Sequence, residues 1–247
     1  MLQYQGCGTQ QFGLRLLRNF PPVQCRHRRA QDQYRPKHSG ESRALSDRPR
    51  VIQTVDVGQQ IGSSRSLLAQ QQLHQRIDAA VLASGIQQRI EVEAMTDADW
   101  QRHMDVNLTG IFYVVRALFP VMKHQRSGAL VVFTSGLATQ GWPGATAYGA
   151  SKAGLIALVK SAAQELKAHG VRINAVSPGI MNTPLFQDSA SAEEVAMYQR
   201  TLGVSEPEEV TPMLMHLISD GAATISGNVL ERRLIPHTQN ESPELLK

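Results

Sequence analysis

Residues 129–136 read Ala129-Leu130-Val131-Val132-Phe133-Thr134-Ser135-Gly136. The first six form a short apolar, β-branched run of strand character, and Ser135-Gly136 marks its end. A loop with Gly141, Pro143 and Gly144 follows. Residues 147–169 then carry Leu155, Leu158, Val159 and Ala162 at helical spacing, with Gly170 placed to stop the helix. Val171-Arg172-Ile173-Asn174-Ala175-Val176 reads as another strand, ending in Ser177-Pro178-Gly179. Strand, helix, strand implies a parallel βαβ unit. In such sheets ligands bind beyond the carboxyl ends of the strands. Ser135 and the 177–179 turn both lie at such ends.

The helix between these strands contains Tyr148 and Lys152, four residues apart, and Ser135 precedes the tyrosine by thirteen. Side chains at i and i+4 share a helix face. The spacing therefore predicts an ammonium beside a phenol, which favours phenolate and lowers the tyrosine pKa. A hydroxyl, a phenol and an ammonium together can run proton transfer at a carbonyl. Without its flanks, such a Tyr/Lys pair reads as a solvated helix pair.

These residues resemble the short-chain dehydrogenase/reductase family. The resemblance runs from about residue 51 to 230. It rests on the Ser135, Tyr148, Lys152 spacing, the Ala153-Gly154 that follows, the Ser177-Pro178-Gly179 turn and Asp105-Val106-Asn107-Leu108-Thr109-Gly110. It implies an α/β Rossmann-like, doubly wound, mainly parallel sheet flanked by helices on both faces. It also implies alcohol/carbonyl interconversion by hydride transfer with NAD or NADP. By resemblance Tyr148 is the general acid/base, Ser135 polarises the substrate oxygen, and Lys152 tunes the tyrosine and holds the nicotinamide ribose. Asn107 supports a proton path behind the lysine. Read by itself, Asn107 is a poor helix former inside the otherwise helical run 100–122, consistent with a local backbone bond or a kink.

The family pattern extends to cofactor contacts. Val51-Ile52-Gln53-Thr54-Val55-Asp56-Val57 reads as a strand ending in an acid, and Asp56-Val57 takes the place of the pair that meets the adenine. An ordinary capping aspartate is the alternative. Residues 62–75 read as a helix through Leu67, Leu68 and Leu73. Leu82-Ala83-Ser84-Gly85 stands where the family usually has Asn-Asn-Ala-Gly; Gly85 is kept and both amides are absent. Pro178-Gly179-Ile180-Met181-Asn182-Thr183-Pro184 matches the loop along the nicotinamide, with Ile180 and Thr183 as contacts. Residues 185–204, including Phe186, Met197, Tyr198 and Leu202, correspond to a substrate lid and suggest an apolar or amphipathic alcohol or ketone.

The 247 residues suffice for one large α/β domain. No run of about 18 consecutive apolar residues is present, so a membrane span is not expected. Cys7 and Cys25 are the only cysteines and form no metal-ligand pattern, and a cytoplasmic setting is the expectation. The net charge of +4 is uneven: residues 1–50 hold ten Lys/Arg and three Asp/Glu, a surplus of +7, which leaves −3 for residues 51–247. A basic arm is a candidate for nucleic-acid contact. This one lacks interleaved aromatics, and nucleic-acid binding is not expected.

Residues 1–50 do not show the family's first βαβ unit. Gly6-Cys7-Gly8-Thr9-Gln10-Gln11-Phe12-Gly13 has the wrong spacing for a phosphate loop, and Pro21-Pro22 breaks the helix that should follow. Three readings stay open: a divergent cofactor unit, a non-homologous arm, or translation from a shifted frame. Degenerate codons for residues 6–15, read one base later, permit a Gly/Ser-rich loop. The ending is atypical too, since Glu231-Arg232-Arg233-Leu234 stands where Val-Asp-Gly-Gly is usual. Three parts result: an atypical basic segment 1–50, a Rossmann domain 51–230 and an atypical tail 231–247. The leading reading is an oxidoreductase acting on a small alcohol or carbonyl, as a homodimer or homotetramer. The alternative is a weak or inactive scaffold, or a frame-shifted product without a working cofactor cradle.

Overall fold

The computed structural model describes residues 76–234. The glycine segment 6–13, the strand and helix expected within 51–75, Asp56, Val57 and the last residues 235–247 lie outside that span.

Four parallel strands form a sheet in the order β1-β2-β3-β4: Ala79–Leu82, Gly128–Phe133, Val171–Ser177 and Val229–Glu231. Register pairs Val81 with Val131 and Val131 with Asn174. Five of the six β2 residues are buried, as a parallel strand covered on both faces requires. Their side chains alternate between two cores. Leu130 and Val132 join Leu82, Ile173 and Ala175 on one face, under helical residues Ile111, Leu118, Leu155 and Val159. Val131, Phe133 and Val176 meet Leu214 and Leu217 on the other. The sheet is thus doubly wound and α/β, as expected.

The helices follow in chain order. Asp97–Met104 (α1) begins with a capping box in which Thr96 and Asp99 satisfy each other's backbone N–H groups. Gly110–Gln125 (α2) continues it after a π-helical turn, Asp105–Thr109. Leu137–Gln140 (α3) is a single turn, and Thr146–Leu166 (α4) is the long central helix. Pro184–Ser189 (α5), Ala192–Thr201 (α6) and Thr211–Ile218 (α7) complete the set among the described residues.

The helical run Asp97–Gln125 is long and apolar enough to cross a membrane by length and composition. Its residues Ile111, Val114, Val115, Leu118 and Met122 are instead buried in the core formed with the sheet.

Two expectations change in detail. The helix expected over 147–169 closes as a 3-10 turn at Lys167–His169, with Gly170 left-handed. The last strand, expected from residue 225, is confined to Val229–Glu231. Before it, β3 holds the segment by both backbone and side chain: Gly227 N donates to the Ile173 carbonyl at 2.8 Å, Asn174 Nδ2 donates to the Ile225 carbonyl at 2.9 Å, and Asn174 Oδ1 accepts from Asn228 N at 3.1 Å.

Candidate active site

Ser135 follows the carboxyl end of β2, and Tyr148 and Lys152 lie one turn apart on α4. The structure brings all three together. Ser135 Oγ accepts from Leu137 N at 3.2 Å, which leaves the hydroxyl proton free. The Ser135 side chain faces Tyr148 closely enough to pull the phenol's pKa down. Thr134, the residue before it, ties the strand end to α4 by donating to the Lys152 carbonyl at 2.9 Å.

Lys152 is 4 % exposed and its Nζ donates to the Phe133 carbonyl at 3.1 Å. Burial lowers its pKa to about 8. Nζ lies 5.8 Å from the centroid of the Tyr148 ring. The helical spacing predicted a tyrosine pKa below its ordinary value. The structure shows the opposite direction: burial raises Tyr148, and the Ser135 side chain pulls it down by less. Depth in the protein, invisible in an i, i+4 pattern, decides the sign.

Asn107 sits in the π-turn, a feature frequent at functional sites. It is fully buried, and both ends of its amide are used. Oδ1 accepts from Ile86 N at 2.7 Å; Nδ2 donates to the Ile86 carbonyl at 2.9 Å and to Ser151 Oγ at 3.1 Å. Ser151 in turn donates to the Tyr148 carbonyl at 2.7 Å. The side chain therefore pins the turn after β1 to the helix that carries Tyr148 and Lys152. Gly154 permits the approach, because a Cβ there would meet Leu108 of the π-turn at 2.8 Å.

The turn after β1 brings Gly85 to the same place. An added Cβ at Gly85 would stand 3.3 Å from both Lys152 Nζ and Asn107 Oδ1. His103, fully buried, supports the turn from α1: its Nδ1 faces the Asp99 carbonyl at 2.8 Å and its Nε2 accepts from Gln88 N at 3.1 Å. These two partners place the ring proton on Nδ1.

On the far side of the cleft, Ile180 and Thr183 lie in the loop between β3 and α5. The Ile180 carbonyl accepts from Ser205 N at 3.0 Å. Thr183 is the N-cap of α5, its hydroxyl accepting from Phe186 N at 3.4 Å. Of the lid residues, Tyr198 is buried and contacts Phe186 with ring centroids 6.0 Å apart, whereas Leu202 is 51 % exposed. Trp142, from the loop after α3, meets Tyr198 at 5.8 Å. An ion pair between Arg89 and Glu194 joins the turn after β1 to α6.

The sequence reading did not single out Ser151, His103, Trp142 or Arg89, and it took Arg232 only as part of an atypical ending. The first four serve the site through partners 15 to 105 residues distant or by ring contact across the cleft. Only Trp142 carried a signal, as a large aromatic in a loop next to Ser135.

A family model described as enoyl-(acyl carrier protein) reductase matches residues 32–231. The chain belongs to the short-chain dehydrogenase/reductase family. Among curated relatives of that family, 3-oxoacyl-[acyl-carrier-protein] reductase FabG of Thermotoga maritima is 37% identical over 161 residues, covering 64% of this chain and 65% of that protein. A 3-oxoacyl-[acyl-carrier-protein] reductase of Synechocystis is 36% identical over 148 residues, 60% of each chain. The short chain dehydrogenase adrF of Penicillium roqueforti is 34% identical over 171 residues, 63% of this chain and 66% of that one. The matches thus span slightly less than two thirds of these relatives' lengths.

Proposed function

We propose that this chain is an NAD(P)-dependent oxidoreductase that interconverts an alcohol and a ketone or aldehyde. The observation that carries this reading is the meeting of Ser135, Tyr148 and buried Lys152 at the carboxyl end of β2, beside Gly85. When bound, a nicotinamide nucleotide supplies or accepts the hydride. Lys152 Nζ and the open backbone at Gly85 fit the ribose of that nucleotide, and Ile180 and Thr183 would hold the nicotinamide side. Asp56 and Val57, proposed for the adenine, complete the contact set.

The site's own groups then have distinct tasks in reduction. The Ser135 hydroxyl and the Tyr148 phenol donate to the substrate oxygen as negative charge grows on it. Tyr148 transfers its proton to that oxygen, and the raised pKa keeps the phenol protonated for this task. Lys152 stabilises the phenolate left behind, and Asn107 holds the turn and helix in register. Oxidation reverses these steps and requires Tyr148 as base.

The lid aromatics Phe186 and Tyr198, with Trp142, support an apolar or amphipathic substrate. The two relatives named as 3-oxoacyl reductases support a 3-oxoacyl thioester as the first ketone to test. A homodimer or homotetramer is supported by the exposed Phe112 on α2. The absence of a membrane or nucleic-acid partner and a cytoplasmic location belong to the same proposal.

A second reading, an inactive binding relative, draws on Leu82-Ala83-Ser84, which supplies no side-chain amide at the end of β1. Titration with NADH and NADPH, followed by nucleotide fluorescence, separates the two. Saturable binding of either supports the oxidoreductase. Failure to bind both at millimolar levels removes it.

A further inference from the structure

Arg232 is one of the four tail residues that depart from the family ending, and it is tied to the loop that carries Ile180 and Thr183. Its backbone N–H donates to the Ser177 carbonyl at 2.8 Å. Its guanidinium donates through Nη1 to Ser205 Oγ at 2.7 Å and to the Pro178 carbonyl at 3.4 Å, and through Nη2 to Glu209 Oε2 at 2.9 Å. The side chain is 18% exposed, against 46% for Glu209.

The partners of Arg232 have one thing in common. Ser177 and Pro178 begin the loop that carries Ile180 and Thr183. Ser205 is the other wall of that loop: its N–H donates to the Ile180 carbonyl at 3.0 Å, its carbonyl accepts from Asn182 N at 2.8 Å, and it bridges Met181. Glu209 lies in the 3-10 turn Pro207–Val210 that precedes α7. One guanidinium thus joins the start of the loop, the segment after the lid helix and the turn before α7. The backbone meets equally closely: Gly179 has φ +80°, and a Cβ there would stand 2.9 Å from the Arg232 carbonyl.

We infer that Arg232 is a positioning residue that clamps the 178–183 loop against Ser205 and fixes its geometry for the nicotinamide side of the cofactor. The inference rests on the oxidoreductase reading for the identity of the ligand, and on the hydrogen bonds above for the clamp. A planar five-donor group suits the task, since it can satisfy a carbonyl, a hydroxyl and a carboxylate at fixed angles. Lysine, a point charge on a flexible stem, could keep one of these bonds but not all three.

Hydrogen exchange by mass spectrometry on the full chain tests the clamp without any nucleotide. In Arg232→Gln, exchange at the amides of Asn182 and Ser205 should rise about tenfold or more, while that of β2 and α4 stays as in wild type. Should that variant fail to fold, Ser205→Ala removes the shortest bond without stranding a charge. It should raise exchange at the Asn182 amide severalfold. Unchanged exchange in the folded variant overturns the inference. Fluorescence titration then reads the consequence. Arg232→Gln should weaken NADH or NADPH binding about tenfold, the loss expected for hydrogen bonds to a charged group, and Arg232→Lys should recover part of it. Faster exchange with undiminished nucleotide affinity also overturns the positioning role. A wild type that binds neither nucleotide overturns the oxidoreductase reading instead, and the exchange result still decides the clamp.

Discussion

Asn107 Nδ2 donates to Ser151 Oγ at 3.1 Å, so a residue in a π-turn before α2 holds the N-terminal part of the helix that carries Tyr148 and Lys152. The same amide closes both backbone groups of Ile86. Replacing it with leucine leaves a part-buried N–H and a part-buried carbonyl without their partners, each at about 1 kcal/mol or more. We expect Asn107→Leu to lose more than ~2 kcal/mol in a denaturant melt. Ser151→Ala removes one neutral bond and should lose about 1 kcal/mol. Equal losses in the two variants would mean that the Ile86 contacts contribute little.

Tyr148→Phe removes the proton that the mechanism delivers and little else. Its backbone and helix position are retained, and the ring stays buried. Turnover should fall about 10²–10⁴-fold, the usual range for losing a general acid. The melting temperature should stay within a few degrees of wild type. Ser135→Ala removes one hydrogen bond to the developing charge and should cost roughly 10²-fold in turnover.

Lys152 gives stability a pH dependence with a defined sign. Its pKa in the folded protein is about 8, against 10.5 for the ordinary side chain. Between those values the unfolded chain binds more protons, so stability contributed through Lys152 rises with pH. Below pH 8 the buried ammonium destabilises the fold by roughly 3 kcal/mol, and the effect vanishes above the upper value. Tyr148 acts in the other direction at the alkaline end: its raised pKa keeps it neutral where the unfolded phenol ionises, so its contribution falls as pH rises past the ordinary tyrosine value. Lys152→Met should therefore melt higher than wild type at pH 7. The gap should narrow toward pH 10. A gap that is constant with pH would contradict this, because it would mean that the Lys152 pKa is the same in the folded and unfolded chain.

Arg89 and Glu194 join the turn after β1 to α6, with side chains 24% and 30% exposed. Ser191's backbone N–H, then Arg89, hold the Glu194 carboxyl below the usual carboxylate range. Such a partly exposed pair contributes about 0.2–1 kcal/mol to stability. Its expected effect lies in holding α6 across the cleft. Glu194→Gln should raise KM for the carbonyl substrate severalfold, leaving kcat and the nucleotide affinity near wild type. Salt should narrow the difference, because exposed pairs are screened.

The strands and helix from 129 to 176 were legible because long apolar runs and the periodicity of Leu155, Leu158, Val159 and Ala162 report burial directly. Ser135, Tyr148, Lys152 and Asn107 were legible through spacing and flanks. The tasks of their neighbours were not. Ser151 answers to Asn107 across 44 residues, and Arg232 to Ser205 across 27, and no local pattern marks a side chain for a distant partner. Read from the residues alone Asn107 was a poor helix former, and by resemblance a support for a proton path; its task as the bolt between a turn and a helix was not legible. The start of β4 was placed too early because residues 225–228 meet β3 partly through the Asn174 side chain, which no local pattern marks. The direction of the Tyr148 pKa was missed for a related reason: helical spacing shows which charge is near but not how much water is excluded.

The most direct test of the central claim is nicotinamide absorbance during reaction of NADPH or NADH with a 3-oxoacyl thioester, wild type beside Tyr148→Phe. Substrate-dependent nucleotide oxidation by wild type, lost in the folded Tyr148→Phe variant, is the expected result. Oxidation that proceeds equally in both proteins, or in neither while nucleotide binds, would contradict a tyrosine-driven carbonyl reduction.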